Sequence, residues 1–219
     1  MKFSVIALIA VLFVGSSSAT WQWGRCRTTT QLEDFDIRRF QGTWYEGGRT
    51  NNVDVEEGSR CRQVEYRVYE EGMVYFKLVA IFDDADTNMT ESIEGVASFD
   101  EENPARWASM ESRWLPATIY WVHDTDYDSY AFLYSCKNKF LFFHEEMIWI
   151  LTRQQYVEPD SPLYQYIADR YEMTELDGSN LVPSEQMRCP SRDDDNGEDD
   201  HGDDDRGTEP PRADDSRPE

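Results

Sequence analysis

The sequence predicts an all-β domain, an eight-stranded antiparallel up-and-down β-barrel with one α-helix packed against its outside. Between Gly42 and Arg153, eight short alternating or apolar runs are separated by Gly, Asp, Asn and Pro at regular spacing, the rhythm of sequentially paired strands in a barrel or sandwich. A single helical period follows Pro159. The stretch 20–192, free of the extreme charge found beyond it, is long enough for one domain with a real core.

The N-terminus places Lys2 before the apolar run Phe3 to Val14 and the small residues Gly15 to Ala19. This pattern predicts a signal peptide over residues 1–19. The apolar run is well short of the ~20 residues a bilayer-spanning helix needs, so a secreted, extracellular protein with no membrane span is expected. Four cysteines follow, Cys26, Cys61, Cys136 and Cys189. An even count in an oxidising compartment predicts two disulfides. No two of them have the close spacing of a structural zinc pair.

The strand runs are GTWYEGGRT, RQVEYRVY, MVYFKLVAIF, ESIEGVASF, ARWASMESR, ATIYWVHD, SYAFLYSC and KFLFFHEEMIWILTR. Turn residues stand between them at EEG before Met73, DDADTN after Phe82, DEENP before Ala105 and CKN before Lys139. Eight such strands closed on themselves leave no free edge and enclose room for one small ligand. In SPLYQYIADRYEM the residues Leu163, Tyr166, Ile167 and Arg170 recur at helical steps. Ser161 is the expected cap, Pro162 the first helical residue and Gly178 the exit. The apolar stripe predicts a helix lying on the barrel.

The net charge is −23, and residues 193–219 hold thirteen acidic side chains against Arg206, Arg212 and Arg217. With almost nothing apolar to bury, this tail is expected to be a disordered polyanion. The negative charge of the rest disfavours nucleic acid as a partner.

Three segments carry a resemblance to the lipocalin family. FDIRRFQGTWYEGGR resembles its entry motif, here Gly42 and Trp44. YWVHDTDYDSYAFLYSC resembles the turn between the sixth and seventh strands, here Thr125, Asp126 and Tyr127, and MIWILTR resembles the last strand with its terminal Arg153. Together these span residues 35–189. The resemblance is to the retinol-, bilin- and carotenoid-binding members, and it implies that Arg153 stacks on Trp44 at the closed end of the barrel. It also implies disulfides Cys26–Cys136 and Cys61–Cys189.

The same resemblance places Met147, Trp149 and Leu151 inside the barrel. Side chains two apart on a strand share a face, so Ala131, Leu133, Tyr120, Val122, Val64, Tyr66, Val68, Phe76 and Leu78 are expected to line the cavity, with Ile93 and Trp107. Tyr130, Phe132 and Tyr134 then face outward beneath the helix. The implied function is binding, transport or sequestration of one small hydrophobic ligand, such as a bilin, carotenoid, retinoid, steroid or fatty acid, with no required cofactor and no catalysis.

Other chemistry finds little support in the sequence. There is no GxSxG nucleophile elbow, and the only histidines are His123, His144 and His201. His144 and Glu146 share the outer face of their strand while Glu145 lies opposite. Two converging donors fall short of a metal site, and solvated surface is expected for them, as for His123 at the rim. Asn88-Met89-Thr90 fits a glycosylation site in a turn. The tail solubilises the chain or offers carboxylates to calcium or a basic protein. The rival function is an acidic extracellular matrix or calcium-associated protein with the barrel as scaffold. The sequence leaves open whether the chain forms a homo-oligomer.

Overall fold

The computed structural model describes residues 22–27, 32–51, 58–70, 72–83, 88–100, 102–109, 117–139, 141–187 and 189. The expected signal peptide and acidic tail lie outside the described residues. In chain order the elements are β1 (Gln22–Trp23), α1 (Ile37–Phe40), β2 (Gly42–Thr50), β3 (Ser59–Glu70), β4 (Met73–Asp83), β5 (Asn88–Asp100), β6 (Asn103–Ser109), β7 (Thr118–Thr125), β8 (Tyr130–Lys139), β9 (Phe143–Thr152), α2 (Pro162–Glu172) and β10 (Leu181–Pro183).

The eight predicted strands are β2 to β9. Each pairs antiparallel with the next, and β9 returns to β2 with Tyr45 opposite Thr152 and Arg49 opposite Trp149, which closes the barrel. The fifth run stops as a strand at Ser109, and residues 110–116 lie outside the described set. Asn88, expected in a turn, opens β5 opposite Asp83. The short elements β1, α1 and β10 were not anticipated.

Helix α2 forms where the sequence placed it. Ser161 Oγ accepts the Tyr164 N–H at 3.1 Å, and Pro162 fills the first position, where no N–H is required. Ile167 is buried against Tyr130 and Phe132. Arg170 bonds Asp124 Oδ2 at 2.7 Å and donates to the Tyr130 hydroxyl at 2.8 Å, so the outward face of β8 anchors the helix. The helix ends at Met173, whose N–H donates to the Arg170 carbonyl, and Gly178 falls in a later turn rather than at the exit.

The closed end is built around Trp44, which is fully buried. Its Nε1 donates to the Phe40 carbonyl at 2.8 Å, and the Phe40 ring stacks on it at 4.9 Å. Arg153 lies over the Trp44 ring, with its guanidinium carbon 3.7 Å from the ring centroid. That guanidinium also donates to the carbonyls of Tyr127, Thr43 and Gln41 at 3.0, 2.9 and 3.0 Å. It therefore ties the β7–β8 turn, β2 and the end of α1 together, and burial lowers its pKa. Gly42 has φ +97°, a backbone conformation that favours glycine. In the turn, Asp126 Oδ1 accepts the N–H groups of Asp128, Ser129 and Tyr130. Thr125 Oγ1 accepts that of Tyr127, which holds Tyr127 at φ 70°.

A C-terminal segment mends a gap in the wall. The β2–β3 ladder runs only from Gly42 opposite Tyr66 to Tyr45 opposite Gln63. Beyond it β10 takes the edge of β2, with Leu181 opposite Thr50 and Pro183 opposite Gly48. The Ser184 N–H then bonds the Gly47 carbonyl, and the Cys61 N–H bonds the Glu185 carbonyl at 2.8 Å. Gln186 donates from Nε2 to the carbonyls of both Glu46 and Arg62, at 3.0 and 2.8 Å. The Cys61–Cys189 disulfide fastens the segment, while Cys26–Cys136 ties the N-terminal segment to β8.

Candidate ligand cavity

Alternation along the closed sheet turns one face of every strand inward. Near the closed end this face is packed solid, with Phe35, Phe40, Trp44, Tyr66 and Trp107 in one buried cluster. Phe40 meets Tyr66 at 5.4 Å and Trp107 at 5.5 Å, and these two meet each other at 5.1 Å. Beside this cluster lies a cavity of about 140 Å³. Its walls are Val64, Tyr66, Phe76, Leu78, Ala97, Trp107, Tyr120, Leu133, Trp149 and Leu151, with the polar Glu46, Arg62, Gln63 and Ser109.

Of the expected lining residues, Val64, Tyr66, Phe76, Leu78, Trp107, Tyr120, Leu133 and Trp149 stand in this wall. Val68 and Ala131 lie toward the closed end, the first with its N–H on Gln41 Oε1 and the second opposite Thr125. Val122 is buried in the same cluster without lining the cavity. Met147 sits opposite Ser135, toward the β8–β9 hairpin and away from the lining. Ile93 is 60 % exposed, two pairs beyond Gly95 toward the β4–β5 hairpin.

The large aromatics are fixed by their neighbours. Tyr120 and Trp149 contact each other at 5.7 Å, and Trp107 Nε1 is bonded to the Pro104 carbonyl at 2.8 Å. Burial pushes the Tyr66 hydroxyl far above its ordinary pKa, so it stays neutral. One part of the wall is charged. Glu46, 3 % exposed, accepts Arg62 Nε at 3.0 Å and Arg49 Nη1 at 2.9 Å, and it also accepts the Ser184 hydroxyl. Arg62 Nη1 reaches Ser59 Oγ at 3.1 Å. Buried carboxylates are tolerated when paired and hydrogen-bonded in this way. Sequence reasoning did not reach Glu46 and Arg62. Yet Arg62 stands two residues before Val64, and Glu46 two after Trp44, on the same inward faces.

His144 and Glu146 are not solvated surface. They share the outer face of β9 as expected, and β1 pairs along the edge of β9 with Gln22 opposite His144, but both side chains are buried. Glu146 accepts the Tyr134 hydroxyl at 3.0 Å, and His144 Nε2 stands 3.5 Å from Glu146 Oε1. Cys136 is near them, but its sulfur is bonded to Cys26 and is no thiolate. Two metal donors remain. His123 is half-buried, and desolvation lowers its pKa.

A closed eight-stranded barrel with an arginine-capped tryptophan at one end and an aromatic, largely apolar lumen defines a barrel of the lipocalin type. The chain belongs to the lipocalin and cytosolic fatty-acid binding protein family, whose model matches residues 41–180. It is 30 % identical to apolipoprotein D of Rattus norvegicus over 190 residues, covering 85 % of this chain and 95 % of that protein. It is 30 % identical to retinol-binding protein 4 of Gallus gallus over 146 residues, covering 60 % of this chain and 69 % of that one. The structure of insecticyanin from the tobacco hornworm Manduca sexta shares the fold with a TM-score of 0.59 at 20 % identity, over 75 % of this chain and 88 % of that one.

Proposed function

We propose that this protein binds one small, mostly apolar ligand in the barrel lumen and carries or sequesters it outside the cell. The cavity carries this proposal, since its walls are aromatic and aliphatic with a few convergent polar groups, as small-molecule sites are. Retinol-binding protein 4, named for binding retinol, matches part of the chain. Two disulfides support an extracellular setting, in which Asn88 is a proposed glycosylation site. Among the described residues no helix is long and apolar enough to cross a membrane.

The size of the cavity narrows the ligand. At about 140 Å³ it is smaller than the ~300–1,000 Å³ usual for drug-sized ligands, which favours a single slender chain, such as an acyl chain, over a broad bilin. Its polar end would meet Arg62, Gln63 or Ser109. A ligand burying roughly 300 Å² of apolar area gains about 7 kcal/mol before ordering costs, which corresponds to micromolar binding. Solvent extraction and mass spectrometry of the protein from its native source test this proposal. One class of lipophilic molecule near one per chain is the expected result, and a protein that holds none and takes none up contradicts it.

Trp149→Phe keeps most of the side-chain volume while removing one ring and the N–H. The barrel is expected to stay folded and affinity for the extracted molecule to fall roughly threefold to tenfold, the worth of about 1 kcal/mol of lost contact. Isothermal titration alongside thermal melting separates the two effects. Unchanged affinity would remove Trp149 from the site.

A further inference from the structure

Gly95 and Phe76 face each other across the β4–β5 ladder. A Cβ built on Gly95 would stand 2.5 Å from Phe76 Cζ and 2.9 Å from its Cε1, closer than real Cβ atoms come. The tip of the phenyl ring therefore lies on the bare backbone of β5. Gly95 is not among the residues with positive φ, so this position asks for glycine only because of the space the ring takes. The next inward residue of β5 is Ala97, small and buried. Gly95 and Ala97 together form a shallow shelf opposite the bulkier Phe76 and Val74 of β4.

Phe76 lines the cavity, so the resting place of its ring sets how much of the cavity is open. From these contacts we infer that Gly95 is a specificity-determining residue: by leaving room for the Phe76 ring against β5, it keeps the lumen open to longer ligands. Any side chain at position 95 must displace the ring. β5 blocks one side, and the ring then turns toward the lumen, where it occupies a large part of the roughly 140 Å³ available. The inference rests on ligand binding in this lumen as proposed above.

The test is a double-mutant cycle in the full chain, comparing wild type, Gly95→Ala, Phe76→Ala and the double variant. Each is titrated with straight-chain fatty acids from short to long, in competition with a fluorescent polyene fatty acid, and each is melted without ligand. Gly95→Ala is expected to weaken the longest acids about tenfold, the burial of roughly two methylenes, and the shortest less than about twofold. In the Phe76→Ala background the same substitution is expected to leave chain-length preference unchanged and Tm no lower, because no ring remains to be displaced and alanine restricts the unfolded chain more than glycine. Equal losses for short and long acids, or effects that add without coupling, overturn the role of Gly95 while ligand binding stands. Failure of the wild type to bind any of the acids overturns the acyl-chain reading of the lumen and this inference with it. In that case the melting cycle still reports whether the Gly95–Phe76 contact exists.

Discussion

Replacement of Trp44 by alanine is expected to lower the unfolding free energy by about 3 to 5 kcal/mol, the usual cost of truncating a large buried aromatic. Trp44 is fully buried and in contact with the Phe40 ring and the Arg153 guanidinium. Its loss opens a void and removes a cation–π contact worth ~0.5 to 2 kcal/mol. The carbonyls of Tyr127, Thr43 and Gln41 still hold Arg153, so the turn is loosened without being freed. Urea unfolding gives the magnitude. Trp44 does not line the cavity, and ligand affinity of the protein that remains folded should change less than in Trp149→Phe. A stability loss below about 1 kcal/mol would mean that the indole is not the keystone of the closed end.

Conversion of Cys61 and Cys189 together to serine is expected to cost about 2 to 5 kcal/mol, the typical loss on removing a native disulfide. The bridge closes a separation of 128 residues, at the long end where the chain-entropy effect is greatest. It also fastens the segment whose Ser184 and Gln186 hold Glu46 and the Arg62 backbone in place. Since Glu46 and Arg62 form part of the cavity wall, this pair of substitutions should weaken ligand binding as well as stability. The same change at Cys26 and Cys136, which joins the N-terminal segment to β8, should reduce stability and leave affinity nearly intact. Thermal melts and titrations of the two double variants check the contrast, and equal effects on affinity would remove the wall-fastening role from Cys61–Cys189.

The barrel was readable in the sequence because a period of two, broken by turn residues, was repeated eight times and each repeat constrained its neighbours. A helix with a serine cap and a proline behind it was equally plain. β1 and β10 were not, since strands of two and three residues carry no periodicity and exist only because β9 and β2 offer them an edge. His144 and Glu146 were misplaced in solvent because nothing local announces that they are buried beside the Cys26–Cys136 bridge.

The cavity was legible in face but not in height. Alternation turned Val68, Ala131, Val122, Met147 and Ile93 inward together with Val64, Tyr66 and Trp149, but it does not say how far along the barrel each one sits. Strand tilt and bulges decide that. The bulge between Arg60 and Gln63, with Cys61 at φ 55°, shows how one extra residue resets the level of a whole strand. Glu46 and Arg62 were within reach. Extending the inward alternation by one step on β2 and β3 would have set opposite charges facing each other on adjacent strands, the signature of a buried pair.

Occupancy of the lumen by a small apolar ligand is read out by titrating the folded protein with a fluorescent polyene fatty acid while following tryptophan emission. Trp107 and Trp149 both line the cavity, so a ligand bound there quenches indole emission by energy transfer. Saturation at one probe per chain with a micromolar or tighter Kd is expected. Leu133→Trp, which fills the lumen from β8, should weaken binding by about tenfold or more while circular dichroism shows the barrel intact. Absence of saturable binding, or binding that Leu133→Trp leaves unchanged, would contradict it.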